Sequence, residues 1–194
     1  MVLFVLGGFA CAQSAYTPLT SSVYVSLSAQ GRWHHYWKDT LLSPYLYLGS
    51  AAGAGIATLR NDPPEWRDEG YTKRYASYVG TILVKNTISQ GTAAVLEYDP
   101  RYQHCDCRGI WPRTSHALIW TFLTKNANGA TRFNLPMLTG AYGAGMLSTY
   151  WYPSRYNPLT DGVRFGSRQV GVNVGVDILR EFSPEIRRFV HFYH

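Results

Sequence analysis

His104-Cys105-Asp106-Cys107 puts three kinds of metal-binding side chain into four consecutive residues. Thiolate and imidazole are the ligands that a soft divalent ion prefers. Neighbours this close rarely complete a tetrahedral shell alone, so His104, Cys105 and Cys107 need a further ligand from elsewhere in the chain, and His116 is a candidate. The same C-x-C pair can instead close a tight disulfide in an oxidising compartment, or remain as free thiols. The other reactive residues point to less. Ser115 and His116 are neighbours, but adjacency does not make a dyad and no acidic partner is suggested. Glu65, Asp68 and Glu69 could share acid–base work, yet such a cluster commonly decorates a helix start, where the dipole favours anions. The paired His34-His35 diverge on any regular element. The chain has no nucleophile elbow, dinucleotide fingerprint, zincin helix or EF-hand loop, and its Gly49–Gly55 stretch lacks the Lys-Ser/Thr end of a phosphate loop. No catalytic residue and no cofactor are expected. Arg74, Arg101 and Glu181 stand beside aromatics and read as structural ion pairs.

The elements that hold these residues are built from an unusual composition. In 194 residues, charged side chains make up only 15%, against about 25% in typical soluble domains. Aromatics also reach 15%, and the apolar fraction of 46% is enough for a buried core. The chain is neither a charged coiled coil nor a disulfide-dense miniprotein. Its net charge of +6 suits nucleic acid, anionic lipid or an acidic polymer, or simply keeps the chain in solution. The densest basic spots are only Lys73-Arg74 and Arg187-Arg188, so no nucleic-acid partner is expected.

Residues 1–12 read as a signal peptide: an apolar run, then Ala10-Cys11-Ala12 as a small-x-small cleavage site. Export to the periplasm, outer membrane or cell envelope is the corresponding expectation. Residues 13–40 read as a loose, aromatic-rich lead-in, with strand-like alternation over Ser22–Ser28. Residues 41–188 then form one helical domain, followed by a tail at 189–194. Leu41–Leu59 and Phe133–Tyr152 carry no charge. Asp62 is a candidate helix cap before Pro63-Pro64. Gly70–Tyr98 has the clearest 3–4 spacing and ends at Asp99-Pro100. A further helix opens at Trp111-Pro112, Asn126–Gly129 is a turn, and Asn134 with Pro136 starts the next helix. Val163–Phe182 fits two templates. Val170, Val172, Val174, Val176 and Ile178 alternate as a strand would, while the continuation through Leu179–Phe182 favours a helix.

Four pairs of small residues sit one helical turn apart: Gly49/Gly53, Ala76/Gly80, Ala141/Gly145 and Gly171/Gly175. On a helix each pair makes a flat groove that admits a neighbouring backbone, as in helices that associate in lipid. Glycine inside a helix costs roughly 1 kcal/mol relative to Ala, so four such pairs point to packing. A membrane span needs about 20 mostly apolar residues, and both uncharged stretches are diluted by Gly, Ser, Thr, Pro and Tyr. Mean hydropathy is only −0.17. Interfacial helices with Trp and Tyr at the boundary follow.

Glu65-Trp66, Gly70-Tyr71-Thr72-Lys73-Arg74-Tyr75, Asp99-Pro100-Arg101-Tyr102, Trp151-Tyr152-Pro153 and Arg180-Glu181-Phe182-Ser183-Pro184 form a set of landmarks. With them, residues 50–188 resemble a family of exported bacterial envelope proteins with no activity assigned. The Cys105-Asp106-Cys107 loop departs from that pattern. The resemblance implies an exported, mainly helical protein.

The expected fold is therefore mainly α, a small bundle of Gly/Ala-rich helices, with an eight-stranded membrane barrel as the alternative. The expected role is structural or interactive at the envelope. Its partners would be a lipid surface, a second copy or another envelope protein. An exported metal-binder or enzyme is the other reading.

Overall fold

The computed structural model describes residues 24–186. The signal segment and the tail at 189–194 lie outside the described residues. Helices dominate: α1 (Ala29–Thr40), α2 (Pro44–Leu59), α3 (Gly70–Val95), α4 (Ile110–Thr121), α5 (Leu135–Ser148) and α6 (Thr160–Glu181). The described strands are β1 (Leu123–Lys125) and β2 (Thr131–Phe133), a short antiparallel hairpin with Leu123 opposite Phe133. A bundle built this way is not a barrel, and the barrel alternative is set aside.

α3, about 39 Å long at 1.5 Å per residue, is the spine. α2 and α5 pack on it, α1 touches it, α6 lies against α5, and α4 lies against α6. Local chemistry explains the helix ends. Asn134 accepts from the Met137 backbone N–H at 3.1 Å, and Pro136 occupies the first turn of α5, where its missing N–H costs nothing. Ser28 caps α1 in the same way, accepting from Gly31 N at 3.1 Å. That cap and the helix behind it correct two expectations: residues 24–28 form no strand, and Ala29–Thr40 is helical rather than loose. Asp62 caps nothing, and only a single 3-10 turn, Pro64–Trp66, follows it.

Small residues do set the closest approach between helices, but only in part the expected ones. Gly145 on α5 faces Gly162 and Gly166 on α6. A Cβ at Gly145 would collide with the Gly162 carbonyl oxygen and lie 2.6 Å from the Gly166 nitrogen. Ala141, one turn earlier, is fully buried. Gly140 meets α3, where a Cβ would come within 2.7 Å of the Lys85 carbonyl oxygen. A Cβ on Gly53 of α2 would come within 2.7 Å of the Tyr78 ring of α3, whereas one on Gly49 would meet only Tyr45 of its own helix. Gly171 and Gly175 meet nothing within 4 Å, so they do not pack a described helix. Ala76 is exposed, and a Cβ on Gly80 would reach only Trp151, at 3.9 Å.

The distribution of side chains is inverted relative to an ordinary globular core. Among the described residues six of the ten buried hydrophobics are alanines, and Ser50, Ser77, Thr81, Thr121 and Ser148 are buried too. Nine leucines are exposed among the described residues and only Leu46 is buried. Leu59 is 88% exposed and Trp111 81%. No described helix is long and apolar enough to cross a membrane.

Candidate functional site

The loop from Asp99 to Gly109 crosses the C-terminal end of α6 and gathers most of the reactive side chains. The hairpin pins its start. The Asp99 N–H donates to the Lys125 carbonyl at 2.7 Å, and Thr124 Oγ1 donates to the Asp99 carbonyl at 2.8 Å. Arg101 closes a ring onto the Asp99 carboxylate, with Nη2 at 2.6 Å from Oδ2, and Tyr24 donates to the same oxygen. Burial opposes ionisation of Asp99, but the bonds from Arg101 and Tyr24 outweigh it and hold the carboxyl below its ordinary value.

Beyond Tyr102 the loop wraps Glu181, the largest fully buried side chain among the described residues. Oε2 accepts from the Tyr102 hydroxyl at 2.9 Å, and Oε1 accepts from the Cys105 backbone N–H at 3.1 Å. Arg113 Nε lies 3.5 Å from Oε1, while the rest of that guanidinium turns to the Glu181 carbonyl and to Glu185. Burial and the hydrogen bond to Glu181 push the Tyr102 phenol up, so it stays a proton donor. His104 Nδ1 stands 3.9 Å and His116 Nδ1 3.7 Å from Oε2. The His116 ring stacks on Trp120 at 5.4 Å, and its Nδ1 is buried with no hydrogen-bond partner. Cys105 and Cys107 form a disulfide with a Cα–Cα distance of 5.2 Å.

The loop thus brings together His104, Cys105, Cys107, His116 and Glu181, and Arg101 sits at its start with Asp99. Arg74 is elsewhere and makes no ion pair among the described residues, correcting that expectation. Its guanidinium is buried and donates to the carbonyls of Asp62, Pro63, Trp66 and Gly70, tying the 61–70 connection to α3. Glu65 and Glu69 pair at the surface with Arg155 and Lys73.

A polar cavity of about 150 Å³ adjoins this cluster, with Tyr102 in the wall between them. Lys85, in the middle of α3, projects into it. Its Nζ donates to Asn173 Oδ1 at 2.8 Å and lies 5.3 Å from the centre of the Tyr45 ring. Burial, reinforced by the like charge of Arg180 and opposed by Asp177, holds the Lys85 amine down to about 8. Asp177 is displaced upward by burial, although Arg180 and the Thr121 hydroxyl, at 3.0 Å, favour its ionised form. Asn173, Asp177 and Glu181 are spaced four apart on α6, one polar face serving both cavity and cluster. The sequence reading did not single out this cavity. Its available signal was Lys85 itself, the one charge between Tyr75 and Leu96.

No protein-family model, curated protein or solved structure matches the chain. The landmark residues gather at two places in the fold. Trp66 and Tyr152 meet at 4.7 Å between ring centres near Arg74, while Asp99, Arg101, Tyr102 and Glu181 surround the cysteine loop.

Proposed function

We propose that the protein is a helical bundle of the cell envelope that seats on a lipid surface and has a structural or interaction role there. The observation that carries this reading is the inverted packing: alanine, glycine, serine and threonine predominate between the helices, while most leucines and several tryptophans and isoleucines face outward, with Leu46, Trp66 and Ile82 as buried exceptions. In water the hydrophobic effect rewards the opposite arrangement, at roughly 25 cal/mol for each Å² of apolar surface removed. Against lipid that reward vanishes, and helices pack through small and polar residues while large aliphatics face outward. α2 has the most suitable exterior, with Leu48, Ile56 and Leu59 exposed on a helix without charge. The net charge of +6 adds attraction to anionic head groups. Among the described residues no helix is long and apolar enough to cross a bilayer, and the mode of association proposed is an interfacial one. The apolar run before Ala12 supports export, and a Cys105–Cys107 disulfide suits an oxidising compartment.

Flotation with phosphatidylglycerol-containing vesicles tests the reading. The full chain rises with the vesicles, and a Leu48→Glu/Ile56→Glu/Leu59→Glu variant of unchanged helical circular dichroism stays at the bottom. Wild type that remains at the bottom, as a monomer or as a defined detergent-free oligomer, rules out the lipid surface. The oligomer result transfers the apolar exterior to a second copy.

A further inference from the structure

We infer that Cys105, His116 and Glu181 form a binding site for a zinc-class divalent ion, open when the Cys105–Cys107 disulfide is reduced and closed when it is oxidised. One ligand atom from each of the three residues lies within 4.8 Å of the others, although they come from a loop, from α4 and from α6. Ligand atoms around tetrahedral zinc stand about 3.3–3.8 Å apart, given bonds of about 2.0–2.3 Å. For a nitrogen–oxygen pair the spacing is about 3.3–3.5 Å, so the 3.7 Å between His116 Nδ1 and Glu181 Oε2 needs only a few tenths of an ångström of closure.

The partners of Glu181 divide its two oxygens between tasks. Oε1 faces Arg113 and takes the shorter arm of the Cys105 N–H bond, 3.1 Å against 3.4 Å to Oε2, and these hold the carboxylate in place. Oε2 faces Tyr102 and the two imidazoles. A purely structural carboxylate would satisfy His116 as well, yet Nδ1 of that ring is buried with no hydrogen-bond partner, 3.7 Å from Oε2. An ion held by both gives the His116 nitrogen the partner it lacks. Trp120 stacked on His116 and Tyr102 bonded to Glu181 are the outer contacts that orient metal ligands. The fourth position opens toward the exposed ring of His104, whose Nδ1 lies 3.9 Å from Oε2.

Redox state gates the site because the thiolate, not a disulfide sulfur, is the ligand. A small dithiol reductant attacks the Cys105–Cys107 bond. It delivers two electrons and two protons, the S–S bond breaks, both cysteines become thiols, and the reductant closes its own disulfide. On binding the ion, the Cys105 thiol releases its proton to solvent.

Cobalt(II), which reports thiolate ligation by charge-transfer absorption and tetrahedral geometry by its visible bands, tests this on the full chain. The phosphine-reduced protein binds one ion per chain with both signatures, and the oxidised protein shows neither. Cys107→Ser, which cannot form the disulfide, binds without reductant. Cys105→Ser loses the charge-transfer band. His116→Ala, which removes one of the three ligands, weakens binding by more than the about 10–100-fold that loss of an outer contact to a ligand costs. The inference is overturned if the reduced protein takes up no cobalt, if oxidised and reduced protein bind equally, or if His116→Ala binds as wild type does.

Discussion

Lys85 is held in the bundle by a neutral amide, with no ion pair among the described residues, and that arrangement has a measurable consequence. In the unfolded chain its amine titrates near 10.5, while in the folded protein burial lowers this to about 8. Below pH 8 both states carry the proton and the folded state bears the whole cost of burying it. Between about 8 and 10.5 the folded state releases the proton that the unfolded state keeps, so stability rises with pH across that window. The difference corresponds to about 3 kcal/mol at full effect. Lys85→Met removes the charge at similar length. Urea unfolding should find the variant more stable than wild type at pH 7, with the gap shrinking as pH approaches 10. A gap independent of pH would mean that the amine titrates alike in the folded and unfolded chains, its burial fully compensated.

At the scale of helices, the decisive contacts are backbone to backbone. Gly145→Ala drives a methyl into Gly162 and Gly166, two positions with no side chain to move aside. The overpacking should cost roughly 1–3 kcal/mol. Gly175→Ala on the same α6 meets open space and replaces a poor helix former, so it should gain up to roughly 1 kcal/mol. Thermal melts of the two variants should move in opposite directions, and equal shifts would contradict the packing described. The pair also shows what could be read from the residues alone. Small-residue spacing announced close helices and placed Ala141 and Gly145 in a contact, because a flat groove needs only local sequence. It could not say which groove finds a partner. Gly162/Gly166 does and Gly171/Gly175 does not, and that depends on how α6 crosses α5. The period-two valines of α6 were ambiguous for a related reason. Its helical state is fixed by a polar face, Asn173, Asp177 and Glu181, whose function emerges only when Lys85, Thr121 and Tyr102 arrive from other elements. The cap at Asn134 and the stop at Asp99-Pro100 were legible because they act within a few residues. α1 was not, since its aromatic and cationic run gains helical meaning from packing on α3.

For the whole molecule, two attractions compete to explain lipid binding, and salt separates them. The charge of +6 acts through solution and is screened over about 8 Å at physiological ionic strength, shrinking to about 3 Å at 1 M. The exposed leucines, isoleucines and tryptophans act by leaving water, and salt does not weaken that term. If the outward-facing aliphatics are the main contact, flotation on anionic vesicles should weaken but persist as salt rises to 1 M, and uncharged phosphatidylcholine vesicles should still carry the protein. The same association stabilises the fold by mass action, by about 2.7 kcal/mol when accessible lipid is 100 times the dissociation constant. The melting temperature should therefore rise with lipid concentration on both vesicle types. Binding that disappears in high salt and on neutral vesicles would assign the association to charge alone, leaving the inverted packing to be covered by another protein surface.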